Sequence, residues 1–228
     1  MFRRLVTTSA VVVGAALVVT ACGPVKAGSA AIVGNERITV ATLDTEVANL
    51  SQAVARYKNT VQLSQAQQTQ QTLTWLVRFK VNEELARQAG ITVSSAQAEK
   101  ALAEIYAAAK SSAQAQGISN VTLDLILAAN GIPPNLAEEV GRYQAIDDQF
   151  ARQANGGQLP TSTSAQAATS AKLTKARCQA AKALEIQVNP QFGQLNYDQL
   201  AIVTAPGTVF RPPGPAKAAP QSGLTPAC

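Results

Sequence analysis

Histidine is absent from the 228 residues. That removes Ser-His-Asp and Cys-His catalysis, and every metal site that uses imidazole. No H-E-x-x-H, no glycine-rich phosphate loop and no G-x-G-x-x-G occurs either, so no metal, nucleotide or other cofactor is implied. Aromatic residues make up only 4% of the chain. They do not interleave with basic residues, and no basic stripe appears, so nucleic acid is not an expected partner. Acidic residues are scattered. The adjacent pairs are Glu83-Glu84, Glu138-Glu139 and Asp147-Asp148, each in a charged helical stretch. Neighbouring side chains on a helix do not converge on one point, so each pair reads as a solvated face rather than an acid/base dyad. No catalytic constellation emerges, and the chain is expected not to be an enzyme.

What is present begins at the N-terminus. Arg3 and Arg4 precede an apolar run from Leu5 to Ala21, which ends in Val19, Thr20, Ala21 and Cys22. A charged start, an apolar middle and small residues before a cysteine read as a secretion signal. The last four residues resemble a bacterial lipobox, whose cysteine receives diacylglycerol and becomes the new N-terminus. A plain transmembrane anchor is the alternative. The run is 17 residues long, short of the roughly 20 that span a bilayer. The expected site is the outer face of the bacterial cytoplasmic membrane, with lipid on Cys22. Cleavage before Cys22 leaves 207 residues, with 17 basic against 14 acidic side chains and a net charge of +3. That is room for one sizeable core.

Cys178 and Cys228 remain once Cys22 carries lipid. An export compartment permits a disulfide between them. Two unrelated free thiols are the other possibility, since sequence does not give distance in space.

The expected division is a signal peptide over 1–21, a lipidated tether over 22–29, a folded domain over 30–203 and a disordered Pro- and Ala-rich tail over 204–228. Within the domain, Gly34-Asn35 between two β-prone runs marks a hairpin over 30–39. Thr39 is placed to cap a helix over 40–57, where Val40, Leu43, Val47, Leu50, Val54 and Tyr57 recur at helical spacing. A second helix over 64–89 ends at Gly90. Its first half is polar. Its second half, with Trp75, Leu76, Phe79, Val81 and Leu85, is apolar nearly all round and reads as a central element. Trp75 reads as core rather than as a platform for a ligand. Ser94 and Gln97 fit a capping box for a third helix that ends near Gly117. A short fourth helix covers 121–129. Pro133-Pro134 opens a fifth, and a sixth covers 166–183 after a linker over 155–165. The runs 184–188 and 200–203 read as strands, expected to join the N-terminal hairpin in one small sheet.

Several of these segments are similar to one known family. Residues 30–39, with Leu43-Asp44 following, look like the opening of the SurA N-terminal domain family, extracytoplasmic chaperones of the SurA/PrsA group. Leu85 to Ser94 resembles that family's link from its long helix to a capped third helix. Asn130-Gly131-Ile132 before a charged helix fits the next step. Val188 to Gly193 resembles an Asn-Pro-Arg-aromatic-Gly stretch of actinobacterial members, with Gln191 where arginine often stands. The resemblance implies a mostly helical α+β fold of about six helices with a small antiparallel sheet of N- and C-terminal segments. It also implies a holdase that binds unfolded or partly folded exported polypeptides on an apolar surface. A structural or adaptor lipoprotein for one envelope protein is the competing class. Full foldases insert a parvulin isomerase domain, and the linker over 155–165 is far below even a small domain of about 50 residues. Isomerase activity is therefore not implied.

Cys22→Ser is expected to abolish lipid labelling in cells and release the protein from membranes. Labelling that survives the substitution removes the lipobox reading. Mass spectrometry of the same preparation without reduction counts the free thiols at Cys178 and Cys228.

Overall fold

The computed structural model describes residues 27–204 and Cys228. The signal segment, Cys22 and most of the expected tail lie outside the described residues. Strands β1 (Ser29–Val33) and β2 (Glu36–Thr39) form the hairpin, with Val33 opposite Glu36. Gly34 adopts φ 60°, the left-handed conformation such a turn requires. β2 runs straight into helix α1 (Val40–Arg56), and the Thr39 hydroxyl accepts the Thr42 N–H at 2.9 Å.

Helices α2 (Gln65–Ala89) and α3 (Ser95–Ala115) each start at a reciprocal capping box, Ser64 with Gln67 and Ser94 with Gln97. Helix α4 (Leu123–Ala129) is capped by Thr122. A single 3-10 turn at Pro134–Leu136 leads into α5 (Ala137–Ala154). Helix α6 (Thr163–Ala183) begins three residues earlier than its apolar pattern suggests, because the Ser162 hydroxyl caps it.

The C-terminal part departs from expectation in two places. The run over 184–188 is a strand only at β3 (Gln187–Val188). Leu184 still caps α6, and Glu185 turns the chain with φ 45°. Residues 200–203 do not extend the N-terminal sheet. After a 3-10 turn at Pro190–Phe192, β4 (Gln194–Asn196) pairs with β5 (Ala201–Val203) in a separate two-stranded ribbon. The chain reverses between the two strands at residues 197–200, where Leu200 takes φ 45°, and Gly193 just before β4 lets the backbone lie close against the Val203 carbonyl.

β3 does pair with β1, in the sheet order β2-β1-β3. Ala31 faces Val188 and Ile32 faces Gln187. Side-chain and turn bonds reinforce this pairing. Asn189 donates its backbone N–H to Ala30 O at 2.9 Å and its side-chain amide to Ser29 O at 3.0 Å. Gly34 N donates to Leu184 O at 2.7 Å, tying the hairpin turn to the end of α6. The fold is thus six helices plus small antiparallel sheets that join the two ends of the domain.

Helix α2 occupies the centre. Leu73, Val77, Val81 and Leu85 face the main core with Leu43, Val47, Ile146, Ala180, Ala181 and Ile202. Phe79 faces a second cluster, with Leu127, Ile132, Leu136 and Val140. Each fully buried Leu or Val contributes about 1.5–3 kcal/mol by leaving water. The polar N-terminal half of α2 is not simply solvated, since Gln68, Thr72 and Thr74 are buried. Gln68 is satisfied by Ser51 and by the Leu63 carbonyl.

Helices α3 and α5 lie in close contact at Gly141. A Cβ there would collide with the carbonyl oxygen of Ala98. Gly141→Ala is expected to lower stability by about 1–3 kcal/mol, although alanine normally favours a helix. Chemical denaturation of the variant reads this loss. An unchanged midpoint would show that the two helices separate freely.

Candidate functional site

Large hydrophobic side chains are seldom exposed among the described residues. Ile118 and Leu159 stand out at 44% and 39% exposure. One recess with an apolar floor is a cleft of about 270 Å³ between α2 and α5. Its floor is Ala86, Ile91, Val93 and Ile146, and its rim carries Glu83, Arg87 and Arg142. The cleft exists because α2 stops abruptly. Gly90 is left-handed at φ 64°, and Ile91 N returns to the Ala86 carbonyl at 2.8 Å. The chain then turns back along α5, with Ile91 inward and Val93 half-buried. A narrower recess continues past Ile146 toward Phe79 and Tyr143.

A polar stripe runs along α2 at four-residue spacing: Gln70, Thr74, Arg78 and Asn82. Residues so spaced lie on one helix face. The first three hold the β4–β5 ribbon, mostly by its backbone. Gln70 donates to Thr204 Oγ1 at 3.1 Å, and Thr74 Oγ1 accepts the Ile202 N–H at 2.9 Å. Arg78 donates to the Leu200 and Gln199 carbonyls, both at 2.9 Å. Leu200 sits at φ 45°, an unusual conformation for leucine. Its carbonyl is the one that Arg78 Nε holds.

The fourth residue, Asn82, anchors a buried cluster. Its amide donates to the Tyr143 carbonyl at 2.9 Å, and its Oδ1 accepts from Arg177 Nε at 3.1 Å. Arg177 Nη2 meets both carboxylate oxygens of Asp147, at 2.5 and 2.6 Å. These side chains are only 18% and 14% exposed, so Asp147 is not part of a solvated face. The Asp147-Asp148 reading fails because α6 lies over the Asp147 side of α5, which sequence periodicity does not reveal. Burial pushes the Asp147 carboxyl above its usual range, against the pull of Arg177 and Asn82. Burial also raises the Tyr143 phenol and lowers the Arg78 guanidinium.

Aromatic residues back this cluster. Trp75 lies 5.7 Å from Phe79 and 5.8 Å from Tyr143 between ring centres. The Trp75 indole donates to the Asn130 carbonyl at 3.1 Å, so it packs within the second core. Arg177 lies 4.5 Å over the Tyr143 ring. Arg78, Asn82, Asp147 and Arg177 were not singled out from sequence as a set. The one available signal was the four-residue polar spacing inside an otherwise apolar helix.

Cys22 lies outside the described residues. Cys178 and Cys228 come together with Cα atoms 5.6 Å apart and their sulfurs bonded. Among the described residues no group of three or more acidic or cysteine side chains is placed to hold a metal. No described helix is long and apolar enough to cross a membrane.

The model of the SurA-like N-terminal domain matches residues 3–151, well over half of the chain, and the protein belongs to that family. The match ends within α5, so α6 and the Val188 to Gly193 stretch lie beyond it. No curated protein and no solved structure matches the chain.

Arg177→Met should cost about 3 kcal/mol at neutral pH, because it leaves the Asp147 carboxylate buried without its cation. In that variant the folded-state pKa of Asp147 rises further above the unfolded value. A raised folded pKa adds stability below the unfolded pKa and loses it as pH rises through the folded one. The deficit should therefore shrink as the pH falls from 7 toward about 4. Melting curves of both proteins across that range read it. A deficit independent of pH would mean that Asp147 is not the group left uncompensated.

Proposed function

We propose that the protein is a lipid-tethered, extracytoplasmic holdase that covers apolar segments of unfolded or partly folded exported polypeptides. Membership in the SurA-like family supports the chaperone class and is consistent with an extracytoplasmic location. The cleft between α2 and α5 is the observation that carries the site. Its floor of Ala86, Ile91, Val93 and Ile146 offers apolar contact, and the rim of Glu83, Arg87 and Arg142 keeps it wetted. Such a surface lowers the free energy of client states that expose apolar residues, and so holds them back from aggregation. No covalent step and no nucleotide enters this mechanism. Prolyl isomerisation is left out of the proposal, because the linker before α6 has no room for a parvulin domain.

The lipid on Cys22 places the cleft near the membrane in this reading. A bridge between Cys178 and Cys228 suits the same oxidising compartment. The scarcity of exposed large hydrophobics, with Ile118 and Leu159 standing alone among the described residues, favours a second reading. In it the protein is an adaptor for one envelope partner.

The expected result is suppression of aggregation of a denatured client at near-stoichiometric ratio, with peptide isomerisation at the uncatalysed rate. Val93→Asp places a charge on the half-buried edge of the floor and should weaken suppression several-fold while the protein stays folded. Isomerisation above the uncatalysed rate would refute the no-enzyme part. Absence of suppression, with one dominant product on crosslinking in intact cells, would establish the adaptor instead.

A further inference from the structure

Tyr143 also borders a second pocket, of about 280 Å³, on the side of α2 that faces α6 and the ribbon. Arg78, Arg177, Tyr143, Thr174, Tyr197 and Asp198 line it. Its two guanidiniums differ in one respect. Arg177 is neutralised by Asp147 and fixed by Asn82. Arg78 bonds only to the neutral carbonyls of Leu200 and Gln199 and lies 5.2 Å over the Trp75 ring. Among the described residues no carboxylate forms an ion pair with Arg78. A half-buried cation without a counter-ion is costly, and a ligand that supplies one is favoured.

The shape and remaining charges narrow the class. Arg78 is held on two sides by carbonyls, so its fork is already oriented and little freedom is lost on binding. Two tyrosine side chains border the space, which suits a flat group. Asp198 is the acidic residue of the lining. Its Oδ1 accepts the Cys228 N–H at 3.2 Å, and it repels a second negative charge. A singly charged planar anion fits these conditions better than a dianionic tetrahedral one.

We propose that this pocket binds a carboxylate group, held by Arg78 between Tyr143 and Tyr197. The carboxylate belongs either to a small organic acid or to the end of a polypeptide. The site is distinct from the apolar cleft, and the proposal does not depend on client binding there.

The chain has a single tryptophan, and Arg78 stacks on it, so Trp75 fluorescence reports the site directly. The full mature chain is titrated with acetate, inorganic phosphate, a short peptide with a free C-terminal carboxylate, and the same peptide amidated. A saturable change with acetate or the free-carboxylate peptide, and none with the amidated peptide, supports the proposal. Whichever responds identifies the source. Thr174 is exposed on α6 and takes no part in the Arg78 clamp. Thr174→Asp adds a negative charge to the wall and should weaken binding by at least about tenfold. Asp198→Asn should tighten it several-fold. Thermal melting confirms that each variant is folded. No saturable response to any carboxylate would overturn the proposal. So would an equal response to the amidated peptide, a Thr174→Asp variant that binds like the parent, or phosphate bound as well as acetate.

Discussion

The rest of the structure depends on the packing of helix α2. It is surrounded by α1, α5, α6 and the C-terminal ribbon, so its sides cannot be left to water. The apolar sides are filled by two clusters that share Leu76 at their edges. The polar stripe at Gln70, Thr74, Arg78 and Asn82 must be satisfied by neighbours, because an unpaired buried polar group costs about 1–3 kcal/mol. Those neighbours are fixed one after another: the Thr204 hydroxyl just past β5 for Gln70, backbone of the C-terminal segment for Thr74 and Arg78, α5 and α6 for Asn82. Polar satisfaction therefore sets where the C-terminal segments dock, and apolar burial supplies most of the free energy that keeps them there.

The same arrangement closes the domain. β1 cannot pair on both edges without β3, which arrives from more than 150 residues away in the chain. Asn189 makes that junction specific, since its backbone and side chain both bond to the start of β1. The bond from Gly34 to Leu184 also ties the hairpin turn to the end of α6.

Two kinds of recess result, and their chemistry differs. The cleft at the end of α2 is apolar-floored and charged at its rim, suited to weak contact with many sequences. The pocket beside the ribbon is polar and orders its donors, suited to one functional group. Both share Tyr143 as a border through the narrow recess that continues the cleft. The buried Arg177–Asp147 pair lies behind that tyrosine. Burial raises the Asp147 pKa in spite of the cation, and the pair joins α5 to α6.

Local physics was readable in the chain. The hairpin turn at Gly34-Asn35, the Ser94–Gln97 capping box, the stop at Gly90 and the order of six helices depend on residues within a few positions of one another. So did the centrality of α2, because an apolar surface nearly all round a helix has no other stable place. Tertiary structure decided the remainder. Residues 201–203 carry an apolar strand pattern, but the turn over 197–200 gives them β4 rather than the hairpin as a partner. Asp147 reads like any helix-surface acid until α6 lies against it. Arg78 becomes a ribbon clamp only when the carbonyls of Gln199 and Leu200 come from 121 and 122 residues away. Periodicity records which face of an element is buried. It does not record which distant element buries it, and in this protein that choice builds both recesses.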